Sequence, residues 1–150
     1  MVMTRRQLLR AIDAPRVKDA ITKAEQRTSG EVVVSVAPLF WGSVEDAAKR
    51  AFVRLGVNQT QEHNGVLIFV VPARKKFSVL GDSGIHEKVG QEFWESVVAE
   101  LSAHFRNGDF TEGLVRAVDV IGEKLAIHFP YDSSTDVNQL SDDIDFGPKR

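Results

Sequence analysis

Asp82, Ser83 and Glu87 bring three oxygen-bearing side chains together in and just after the turn Gly81-Asp82-Ser83-Gly84. Glu31 and Asn64, each next to a glycine, and Asp109 add further oxygens. Hard cations such as calcium and magnesium are held by carboxylate, hydroxyl and carbonyl oxygens. The set therefore points to a divalent-metal site, with Asp82 and Glu87 as leading ligands and Glu31 and Asp109 behind them. Each residue also has an ordinary role. Asp82 and Ser83 can satisfy a turn and cap a short helix from Ile85 to Val89, Glu31 can open a strand, and Asp109 can cap a helix.

Other chemistries find less support. The chain has no cysteine, which excludes disulfides, thiolate zinc sites and cysteine nucleophiles. His63, His86, His104 and His128 show no zinc-helix spacing, and a position near a helix C-terminus accounts for the last two. Ser83 has no local His-Asp arrangement. Gly81-x-x-Gly84 is too short for a nucleotide loop, and no organic cofactor is expected. Asp132-Ser133-Ser134-Thr135-Asp136 starts like a calcium loop but lacks its glycine and closing glutamate.

The chain's 150 residues suit one domain, with 43% hydrophobic and 27% charged residues as in globular proteins. Nineteen basic and 21 acidic residues leave a net charge of −2, so no electrostatic case for nucleic acid arises. Thr4-Arg5-Arg6-Gln7-Leu8-Leu9 has the look of an export signal, but Asp13, Pro15, Arg16, Lys18 and Asp19 stand where an apolar stretch is needed. The longest apolar run, Val66 to Val71, is far short of the roughly 20 residues of a membrane-spanning helix. A soluble, cytoplasmic protein is expected.

These residues need elements to hold them. Asp13 and Pro15 start a helix whose apolar stripe is Val17, Ala20, Ile21 and Ala24, and Gly30 suits a left-handed stop. Glu31 to Ala37 is a Val-rich strand. Ser43 opens a second helix that ends before Gly56. Val66 to Val71 reads as a central strand covered on both sides, and Phe77 to Val79 as a third, partly exposed one. Rows at Phe93, Val97, Leu101, Phe105 and at Leu114, Val118, Ile121, Leu125, Phe129 make two long helices, with Asp109 and Glu112 forming a capping box. Residues 1–14 are a lead-in, 15–129 the α/β domain, and 130–150 an acidic tail packing through Leu140, Ile144 and Phe146.

Connection lengths set the strand directions. The first two strands, joined through a helix, should be parallel with a right-handed crossover, and the next two, joined by a short turn, antiparallel. The third strand then ends where the others begin. That places Gly81 to Gly84 beside Ser29-Gly30-Glu31 and His63-Asn64-Gly65, with Phe40-Trp41-Gly42 at the opposite end near Pro72 to Lys75. The apolar Phe40-Trp41 pair either packs on the core or contacts a partner or membrane surface.

Thr28-Ser29-Gly30-Glu31-Val32-Val33-Val34, Asn64-Gly65-Val66-Leu67-Ile68, the glycine turn from Gly81, and Phe105-Arg106-Asn107-Gly108-Asp109-Phe110 together resemble the TPM domain family. The family includes thylakoid-lumen proteins of photosystem II repair and a modulator of acetylcholine receptors. The resemblance spans Val17 to Phe129 and implies a three-layer α/β/α sandwich with a small mixed central sheet. It also implies a bound divalent ion, an acid phosphatase activity, or an accessory role at a membrane protein complex. Relatives carry Gly-Tyr-Gly-Leu-Glu where this chain has Gly81-Asp82-Ser83-Gly84-Ile85-His86. An accessory or regulatory domain binding calcium or magnesium is the expected function. The alternative is a metal-assisted phosphatase, for which the sequence supplies no evident base.

Overall fold

The computed structural model describes residues 5–132 and 140–147. In chain order these form α1 (Arg5–Ala11), α2 (Ala14–Glu25), β1 (Glu31–Val36), α3 (Val44–Arg54), β2 (Gly65–Val71), β3 (Lys76–Gly81), α4 (Ser83–His86), α5 (Gln91–Arg106) and α6 (Phe110–His128). Single 3₁₀ turns lie at Val57–Gln59 and Pro72–Arg74. Two helix starts follow the expected chemistry. Asp13 accepts a hydrogen bond from the Arg16 amide, and Ser43 one from the Asp46 amide, each satisfying a first-turn donor.

The sheet has the order β1-β2-β3. β1 and β2 run parallel, with Glu31 opposite Gly65, and β2 and β3 run antiparallel, with Val66 opposite Gly81. Both directions agree with those inferred from the connections. Val32, Val34, Val36, Val66, Ile68 and Val70 face a core built with α2, α5 and α6. Val33, Leu67, Phe69 and Val71 face α3 on the other side. This is the expected α/β/α sandwich. β2 is buried along its whole length because it is covered on both faces. At about 1.5–3 kcal/mol per buried large apolar side chain, that run anchors the sheet.

Three local expectations are corrected. Gly30 is not left-handed. α2 instead ends in right-handed geometry at Gln26, and Gly30 is needed because a Cβ there would lie 2.8 Å from Leu125 Cδ1 as α6 crosses the strand. The Asp109/Glu112 capping box does not form. Asp109 stands at the N-cap without a side-chain bond, and Glu112 pairs with Arg16 at 2.9 Å, a charged partner that the first turn of α2 sets beside it. The short helix begins at Ser83 rather than Ile85, since the Asp82 carbonyl already accepts the Ile85 and His86 amides.

Packing also reaches beyond the expected core segment. Ile12, just after α1, is fully buried. Leu140, Ile144 and Phe146 pack against the cores as expected, while residues 133–139 of the acidic tail lie outside the described part. Asp145 attaches the tail to the outer edge of β1. Its backbone exchanges hydrogen bonds with Val34 and Val36, and its carboxylate takes Ser35 at 2.7 Å and Arg54 at 2.7 Å. Burial pushes that carboxyl up, but the Arg54 and Ser35 hydrogen bonds outweigh burial and hold it below the ordinary range.

Candidate functional site

At the end of the sheet where β1 and β2 start and β3 stops, three short segments meet. Asp82 continues the ladder by donating its amide to the Gly65 carbonyl at 3.0 Å. One carboxylate oxygen accepts the Ser83 amide at 2.8 Å, and the other lies 3.2 Å from Nδ1 of His63. His63 adopts a left-handed backbone, which turns its carbonyl toward the Gly84 amide at 2.9 Å. A Cβ on Gly84 would overlap the carbonyl oxygens of Glu62 and His63, so only glycine lets α4 sit this close to the 62–64 loop.

Glu62 supplies the second carboxylate of this rim. Ser29 donates to it at 2.8 Å and the Asn64 side-chain amide at 3.4 Å. Asn64 is itself fixed by a bond from its amide to the Thr60 hydroxyl and by the Glu31 amide on its carbonyl. The rim thus presents the Asp82 and Glu62 carboxylates, the Ser29 and Ser83 hydroxyls, and the Glu62 and His63 carbonyls. Asp82 is pinned, its side chain 14% exposed, while His63 is open to solvent. The sequence reasoning placed the three segments correctly but missed Glu62 and the His63–Asp82 pair. Polar loop residues carry no periodic signal, so only the fold could show them.

The four expected ligands separate. Asp82 is at the rim, and Glu87 closes α4 on an exposed surface. Glu31 is buried, 2% exposed, beside Glu25 at the outer edge of β1. Asp109 lies at the far end of the sheet, next to Phe110, whose ring meets Phe105 and through it Phe77, opposite Val70.

Glu25, another residue the sequence reading passed over, sits between Glu31 and Asp142, and Thr22 donates to Asp142 at 3.0 Å. Burial first, then hydrogen bonds to Asp142 and Glu31, raise the Glu25 carboxyl well above its ordinary 4.5. Its signal was its place four residues after Ile21, on the apolar stripe of α2. Among the described residues, no group of three or more His, Asp or Glu side chains is arranged to hold a metal ion.

At the opposite end, the Phe40-Trp41 pair divides between the two roles expected for it. Phe40 packs on Phe69, with the Arg74 guanidinium over its ring and bonded to the Gly42 carbonyl at 2.9 Å. Trp41 is 95% exposed.

A three-stranded mixed sheet between helical layers, with an oxygen-rich rim at one end, defines a small α/β/α module. The chain belongs to the TPM domain family, whose model matches residues 2–124. The NMR structure of the BA42 protein from the psychrophilic bacterium Bizionia argentinensis is similar, with 34% identity, a TM-score of 0.84, and 90% of this chain and 92% of that one covered. The N-terminal domain of a protein from P. gingivalis shares the fold at 16% identity and a TM-score of 0.61, covering 81% and 88% of the two chains. So does the N-terminal domain of the cg2496 protein from Corynebacterium glutamicum, at 13% identity and 0.55, covering 73% and 68%. No curated protein matches the chain. No helix among the described residues is long and apolar enough to cross a membrane.

Proposed function

We propose that this TPM domain is an accessory or regulatory module that takes up calcium or magnesium at the rim, with Asp82 as the leading ligand. The supporting observation is the close approach of Asp82 to the 62–64 loop, where Glu62 adds a carboxylate and the backbone adds carbonyls. Calcium sites mix carboxylate and carbonyl oxygens, so such a site does not require three acidic side chains. Calorimetry with calcium and magnesium tests it. Saturable heat that Asp82→Ala abolishes supports the reading, and heat no greater than the buffer blank removes it.

The His63–Asp82 pair favours one second reading, metal-assisted phosphate-ester hydrolysis. There His63, oriented by Asp82, would take the proton from an attacking water. Hydrolysis that survives Asp82→Ala and chelation would count against it.

A further inference from the structure

The two outer strands of the sheet are finished differently. The C-terminal segment at Asp145 covers the free edge of β1, but no strand among the described residues pairs with the far side of β3. Ladder alternation tells which groups β3 leaves open. Because Asp82 and Gly65 form a hydrogen-bonded pair, Leu80, Ser78 and Lys76 bond to β2, and Phe77, Val79 and Gly81 direct their N–H and C=O groups outward. A groove of about 510 Å³ runs along this edge past Gly81, Trp94 and Val98. It continues at Val79 into a second of about 460 Å³ beside Val44, Lys76 and Ser102. Val98 is 41% exposed on its wall.

We propose that β3 pairs antiparallel with β3 of a second copy of this chain about a two-fold axis at Val79, fusing two three-stranded sheets into one. This register is the one that uses all three outward residues of both strands. It is also self-complementary. Val79 meets Val79 of the partner subunit. Phe77 lies opposite Gly81 of the partner subunit, and both are already packed within their own chain, the Phe77 ring on Phe105 and the Gly81 backbone under Trp94. Lys76, exposed, meets Asp82 of the partner subunit, so opposite charges face each other twice. An unpaired edge with outward N–H and C=O groups is a ready template for such pairing, and Lys76 confines it to the register in which its charge is matched.

Sedimentation equilibrium over a concentration series into the millimolar range, with amide hydrogen exchange, tests this. The mass should rise from one chain to two, and the Phe77, Val79 and Gly81 amides should exchange about tenfold or more slowly in the dimer. Val79→Pro removes an amide that does not bond to β2, at an edge position where proline is tolerated, and should hold the protein at one chain. Lys76→Asp, at a solvent-exposed site, places like charges opposite each other and should weaken association about tenfold. One-chain mass at every concentration, a dimer unaffected by Lys76→Asp, or a dimer whose three amides stay unprotected would each overturn the proposal.

Discussion

The rim at Asp82 and the outer edge of β1 each gather acidic side chains, but they surround them with different partners. At the rim, Asp82 and Glu62 face donors: the Ser83 amide, the Ser29 hydroxyl, the Asn64 amide and the His63 ring. At the β1 edge, Glu25 faces two other carboxyls, and burial adds to the penalty on its charge. The neighbours of a carboxyl, more than its residue type, decide whether it can greet a cation or must keep a proton. Asp145, a few residues from Asp142, shows the rule again, since Arg54 and Ser35 hold it charged.

Breaking the rim should have the largest effect. Gly84→Ala forces a Cβ into the Glu62 and His63 carbonyls and is expected to cost about 3 kcal/mol, seen as a lower midpoint in denaturant unfolding. A loss under a few tenths would show that the rim is pliable.

Asp145→Asn should cost about 2 kcal/mol at neutral pH, a figure already reduced for its partial exposure. Its folded pKa is lowered, so its contribution is complete above the ordinary 3.8 and disappears as pH falls through the folded value. Unfolding curves of wild type and variant should therefore converge in acid.

Glu25→Gln should act in the opposite sense, by about 1 kcal/mol after allowance for solvent screening. The folded Glu25 keeps a proton that the unfolded chain releases above 4.5, so the wild type loses stability as pH rises from there. The variant lacks that titration and should be the more stable at neutral pH, with the gap closing toward pH 4.5. A destabilised variant would mean that the carboxyl is charged in the fold.

Much of this arrangement was legible in the residues. Strand directions followed from a helical crossover between β1 and β2 and a short turn between β2 and β3, so the meeting of Gly30, Asn64 and Asp82 needed only topology. The apolar run of β2 announced its burial. What escaped were contacts between groups far apart in the chain with no periodic pattern. Asp142 against Glu25, Asp145 on β1 and Arg16 with Glu112 each depend on how separate elements dock. Gly30 escaped for a related reason, because its demand comes from Leu125 across the core and not from its own backbone.

A calcium titration followed in the amide NMR spectrum tests the rim most directly. Saturable shifts centred on Glu62 to Asn64 and Asp82 to Gly84, absent in Asp82→Asn, are the predicted result. Shifts centred instead on Glu25 and Asp142, or none at all, would contradict the assignment of the cation to the rim.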